Sequence, residues 1–182
     1  DYHKALDIYA EGLVISPENA TLFLFKGNTY LALKEYEKAL NFFNMSLKYK
    51  DSILPELKNN PVFERASDIE ISKHYNLTLS TTYFNIAKCQ ANLGRFEAAL
   101  THIDSAIGLL PNDNKYPKEE FFYLRGHIYL TMGKYDLSIA DFNKSILINQ
   151  YYSLAYINRA IAKVSSTGLV KMNFDTISGN IN

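Results

Sequence analysis

The chain has no tryptophan and a single cysteine, Cys89. One cysteine cannot close an internal disulfide, so no covalent staple supports the fold. Five prolines and eight glycines among 182 residues are too few for a collagen-like or low-complexity chain. No apolar run approaches the roughly 20 residues that a membrane helix needs, so no membrane partner is expected. Charge of one sign is also missing: 19 Lys and Arg balance 19 Asp and Glu. A nucleic-acid or anionic-membrane surface usually carries a basic excess, so neither is expected here. The opening Asp1-Tyr2-His3-Lys4 has no apolar core and no cleavage-type small residues, unlike a secretory leader. It also lacks an initiator Met, which reads as a piece of a longer or processed protein.

Chemical motifs are missing as well. There is no phosphate-binding glycine loop, no G-x-S-x-G and no H-E-x-x-H. His3, His74, His102 and His127 lack metal-ligand spacing to one another or to Cys89. Cys89 reads as a packing residue within a helix. The expectation is a protein that is not an enzyme and carries no cofactor, metal or small-molecule substrate.

What the chain does have is apolar content, 47%, and a period. Ala5-x3-Tyr9 recurs 34 residues later as Ala39-x3-Phe43, then as Ala99-x3-Ile103 and Ser138-x3-Phe142. A second element alternates with it. Phe23-x2-Lys26-Gly27-x2-Tyr30 is matched by Tyr83-x2-Ile86-Ala87-x2-Gln90, by Phe122-x2-Arg125-Gly126-x2-Tyr129, and by Tyr156-x2-Arg159-Ala160-x2-Lys163. Each unit reads as two helices joined by a tight turn. Small residues (Gly27, Ala87, Gly126, Ala160) let the first helix approach the second, and aromatic residues fill the space between. Gly94 and Gly133 suit helix C-termini because glycine tolerates a left-handed backbone. Pro17 and Pro111 close two units, since proline cannot continue a helix interior.

This pattern resembles the tetratricopeptide repeat family, whose motif is W-x2-L-G-x2-Y…A-x3-F…P. Phe23, Tyr83, Phe122 and Tyr156 stand at the Trp position, and Lys26, Ile86, Arg125 and Arg159 at the Leu position. The resemblance implies an all-α, right-handed α-solenoid of antiparallel helix hairpins. The array is expected over 1–165: a second helix at 1–19, repeats at 20–53, 80–113 and 119–152, and a partial repeat at 153–165. An insert at 54–79 breaks the period, and 166–182 reads as a weakly structured tail or degenerate helix.

Function is expected in the groove lined by the first helices, as the family implies. Its positions are Thr21, Leu24, Asn28 and Leu31; Thr81, Phe84, Lys88 and Asn92; Glu120, Tyr123, His127 and Thr131; and Leu154, Ile157 and Ile161. The family's clamp for acidic chaperone tails needs two Asn and three cations. Asn28 and Asn85 supply the amides, but Leu24, Glu120 and Leu124 replace the cations, so tail capture is not expected. An apolar or amphipathic segment of a partner protein fits better, anchored at Phe84 and Tyr123. The implied role is a scaffold or adaptor in a larger cytoplasmic, cytoskeletal or ciliary complex. A subunit built permanently into such an assembly, or a regulatory domain of an enzyme outside this chain, is the alternative.

Overall fold

The structure is a computed structural model that describes residues 1–111 and 118–167. Among these the regular elements are all helical: α1 Tyr2–Ile15, α2 Ala20–Ala32, α3 Tyr36–Lys48, α4 Ile53–Asn59, α5 Asp68–Asn92, α6 Phe96–Leu109, α7 Glu119–Thr131, α8 Tyr135–Ile148 and α9 Ser153–Ser166. Single 3-10 turns at Lys50–Ser52 and Pro61–Phe63 flank α4. None of the described helices is long and apolar enough to cross a membrane. Helices pack mainly on their neighbours in sequence. The hairpins α2/α3, α5/α6 and α7/α8 stack into an all-α solenoid, with α1 and α9 at its two ends.

Three hairpin turns share one geometry. The amides of Glu35, Arg95 and Lys134 bond back to the carbonyls of Tyr30, Gln90 and Tyr129 at 2.8–2.9 Å. The preceding amides, of Lys34, Gly94 and Gly133, bond to Leu31, Ala91 and Leu130. This double bond pattern requires a left-handed residue after each helix. Gly94 and Gly133 supply it at φ +74° and +72°, and Lys34 is forced into it at φ +60°. Pro17 follows the end of α1 and Pro111 that of α6, as expected.

Close approach within each hairpin rests on the small residues. A Cβ built on Gly27 would sit 2.5 Å from the Phe43 ring, and one on Gly126 would sit 3.0 Å from Phe142. Both rings are fully buried. Ala160 behaves differently from the expectation: it is exposed. α9 turns Ala155, Asn158, Ala162 and Ser165 inward instead. Ala160 lies on the opposite side, where no second helix stands among the described residues.

One charged residue at the motif's Leu position, Arg125, is also accounted for. The Arg125 guanidinium donates to both Asp141 oxygens, at 2.7 and 2.8 Å, and to Asp104 Oδ1 at 2.6 Å. One side chain thus ties α7 to α8 and to α6. Asp141 is 2% exposed, and the bidentate guanidinium satisfies both of its buried oxygens. The neighbouring carboxylates raise the Arg125 pKa still further.

The interruption between repeats is ordered. Ser52 Oγ accepts from the Ala20 amide at 3.0 Å, capping α2 from a distance, and its hydroxyl donates to Glu56. Ile53 is buried with Ala20 and Leu79. Ser67 and Glu70 then form a reciprocal capping box that starts α5. With 25 residues, α5 is about 37 Å long, against about 20 Å for the 13-residue α7. Its first half packs against α4 and buries Ile71 and Leu79. The spacer at 112–117 and the expected tail lie outside the described residues, apart from Ser166, which ends α9, and Thr167, which caps it.

Candidate functional site

The groove positions lie on α2, α5, α7 and α9, which touch one another in that order along one side of the stack. The helical period of each puts its second, fifth and ninth motif residues on the shared face, followed by the twelfth in α2 (Leu31) and the thirteenth in α5 and α7 (Asn92 and Thr131). Depth along that face is uneven.

At the α2/α5 end the site is polar. Asn85 Nδ2 donates to Asn28 Oδ1 at 2.8 Å, bridging two repeats. These amides, with Lys88, Leu31, Ala32, Lys34 and Tyr36, line a pocket of about 440 Å³. Thr21 and Thr81 are half-buried at earlier turns of α2 and α5 and do not line it, and Asn92 turns back to bond the Lys88 carbonyl. Leu24 is not available: it is buried with Ala39, Phe43 and Ile86 in the core between α2, α3 and α5.

The centre is aromatic and largely committed to packing. The Phe84 ring lies 4.6 Å from Phe121 of the next repeat. Tyr123 meets Tyr152 edge-on at 5.2 Å, and its hydroxyl oxygen accepts from Asn158 Nδ2 at 2.8 Å. Burial raises the Tyr123 pKa and lowers that of His127 beside it, since both lose water around their charged forms. Glu120 and Thr131 are exposed at the two ends of α7. Leu124, which the acidic-tail clamp would require as a cation, is fully buried.

At the α9 end the site is apolar and open. Leu154 is 47% exposed and Ile157 56%, with Ile161 half-buried next to them. The structure therefore gathers Asn28 and Lys88 at one end and places Leu154, Ile157 and Ile161 on α9 at the other, while Thr81 stays outside the pocket. Phe84, Tyr123 and His127 form the floor between. Asn85 contributes directly to the polar pocket. The register puts it on the helix next to that of Asn28; the hydrogen bond between the two, across 57 positions, is decided by the tertiary structure.

Nothing in this arrangement supplies a nucleophile with a base. Cys89 is buried, which pushes its thiol up to about 12 and holds it protonated. No group of three or more His, Cys, Asp or Glu among the described residues could hold a metal ion.

The profile of the tetratricopeptide repeat matches the chain three times, at 20–52, 80–113 and 119–152. Rat peptidyl-prolyl cis-trans isomerase FKBP4 is 28% identical over 130 residues, 71% of this chain and 23% of that protein. The chain thus spans about a quarter of the length of that relative. Among solved structures, MamA superposes with a TM-score of 0.68 at 18% identity, covering 92% of this chain and 80% of MamA. The first TPR of Spaghetti (RPAP3), bound to HSP90 peptide SRMEEVD, superposes at 0.59 with 15% identity, covering 82% and 94%.

Proposed function

Because this chain belongs to the tetratricopeptide repeat family, we propose that it is a non-catalytic interaction scaffold whose concave face receives an amphipathic segment of a partner protein. The reading rests on one observation. Leu154 and Ile157 stay exposed on the groove wall although Leu24, Leu124 and the central aromatics are consumed by packing. Open aliphatic area in a concave surface is what an apolar side chain of a ligand displaces water from. The Asn28–Asn85 pair and Lys88 offer donors at the far end, so the segment is apolar at one end and polar or acidic at the other.

Capture of the peptide carried by the RPAP3 domain is disfavoured. Leucines occupy two of the three cationic positions that an acidic tail would need, and exposed Glu120 occupies the third. Phe84 and Tyr123 contribute to the floor, but alanine there removes inter-repeat contacts and lowers the melt, which obscures any loss of binding.

A photo-crosslinking residue at position 157 or 88 tests the groove directly, with position 137 on the outer face of α8 as the control. Adducts to one partner from 157 and 88 are expected, those from 88 being lost when Ile157→Asp is added with an unchanged helical melt. Equal adducts from 137 alone would move the interaction to the outer face.

A further inference from the structure

The insert builds a second cavity, away from the groove. Residues 16–19, which turn α1 into α2, share a space of about 570 Å³ with Tyr49, Ser52 and one side of α4. The polar pocket of the groove lies at the C-terminal end of α2, beside Leu31 and Ala32. This cavity lies at the N-terminal end, beside Asn19. The 13 residues of α2 hold the two about 20 Å apart.

The cavity exists because the insert is docked at the start of α2. Ser52 Oγ ties it to the Ala20 amide, and buried Ile53 anchors α4 among Ala20 and Leu79. The same Ser52 hydroxyl donates to Glu56 Oε1 at 2.9 Å, which fixes that carboxylate in the α4 wall. Glu18 stands in the opposing turn, exposed. Neither Glu18 nor Glu56 has an ion pair among the described residues. Three rings complete the walls: Pro17 in the turn, Pro55 on α4, and Tyr49. The nearby cations are engaged elsewhere. Lys48 Nζ lies 4.9 Å from the centre of the Tyr49 ring, and Lys58 pairs with Asp68 at 3.7 Å. No Lys, Arg or His lines the cavity.

Two carboxylates, three rings and no cation describe the guest. A hard metal ion would need a shell of oxygen ligands, and no group of three or more His, Cys, Asp or Glu among the described residues could hold one. Rings suit a methylene stem and carboxylates a positive head, which together are the build of a long basic side chain. Asn59 and the second oxygen of Glu56 add acceptors. A guanidinium brings five donors to such a set, where an ammonium brings three.

We propose that this cavity receives an arginine side chain of a partner protein, its stem against Pro17 and Pro55 and its guanidinium on Glu18 and Glu56. The insert thereby gives the array a contact point that the groove does not contain.

Titrating the isotope-labelled chain with N-acetyl-arginine methylamide, followed by amide chemical shifts, tests this. Saturating shifts gathered at 16–19 and 52–59 are expected. The citrulline analogue has the same shape without the charge and should bind about tenfold more weakly, the worth of one hydrogen bond to a charged group. Glu56→Gln still accepts from Ser52 and should weaken the arginine probe by a similar factor. Glu18→Gln, at an exposed position, should weaken it about threefold. Both variants are expected to keep the parent helical melt; if Glu56→Gln lowers it, Glu18→Gln decides. Absence of shifts at these residues overturns the proposal, as do shifts gathered at Lys88 or citrulline binding equal to arginine. Full affinity in Glu18→Gln, or a lysine analogue that binds as tightly as arginine, overturns it too. The groove reading is judged separately, by the crosslinks from 157 and 88.

Discussion

Replacing Gly27 by alanine probes the closest helix–helix contact in the stack. The added methyl would lie 2.5 Å from two carbons of the Phe43 ring and 3.0 Å from a third. Carbon atoms pack at about 3.5–4.0 Å, so the shortfall is about 1 Å. Phe43 cannot swing aside, because Leu24, Ala39, Leu40, Ile86 and Cys89 surround it. Overpacking of this kind costs about 2–3 kcal/mol, at the upper part of the usual range. Alanine regains about 1 kcal/mol of helix propensity. The net loss is about 1–2 kcal/mol, which lowers the thermal midpoint by roughly 3–6 °C for a chain of this size. Gly126→Ala meets Phe142 at 3.0 Å and is expected to fall near neutral, propensity and crowding nearly cancelling. Gly108→Ala, in α6 with nothing within 4 Å, is expected to gain up to about 1 kcal/mol. Circular-dichroism melts of the three variants give the ranking, read as midpoints because a repeat array need not unfold in one step. A Gly27→Ala midpoint at or above the parent's would refute the described approach of α2 to α3.

Three other perturbations follow from the same structure. Arg125→Leu restores the residue usual in the repeat motif but removes the bidentate partner of buried Asp141 and should lose about 3–5 kcal/mol in urea titration; Asp141→Ala, which leaves Arg125 paired with Asp104, should lose less, and the double variant less than their sum. Lys34→Gly relieves the left-handed backbone at φ +60° and should add roughly 1 kcal/mol, whereas Gly94→Ala at φ +74° should lose a similar amount. His127 has a lowered pKa through burial, so the unfolded chain binds its proton first as pH falls. That stability is present in full above about 6.5 and declines below it, and His127→Gln should flatten the urea midpoint against pH there.

The sequence by itself determined the hairpin plan. Its 34-residue period, the small residues opposite aromatic ones, and glycines at two of three turns are local features, and they locate α2/α3, α5/α6 and α7/α8. Local pattern has this power because a solenoid unit packs mainly on its immediate neighbours. Lys34 shows the limit: turn geometry was imposed on it by register, against its own preference. Tertiary structure alone decided what each groove position is worth. Periodicity gives the face a side chain points to, and the spacing between neighbouring first helices gives how deep it sits. Leu24 and Leu154 occupy similar faces, yet one is core and the other is open surface. The same holds for polar groups. Arg125 meets Asp141 within its own hairpin, but Asn28 finds Asn85, Tyr123 finds Asn158, and Arg125 finds Asp104 only once stacking brings separate repeats within hydrogen-bond reach.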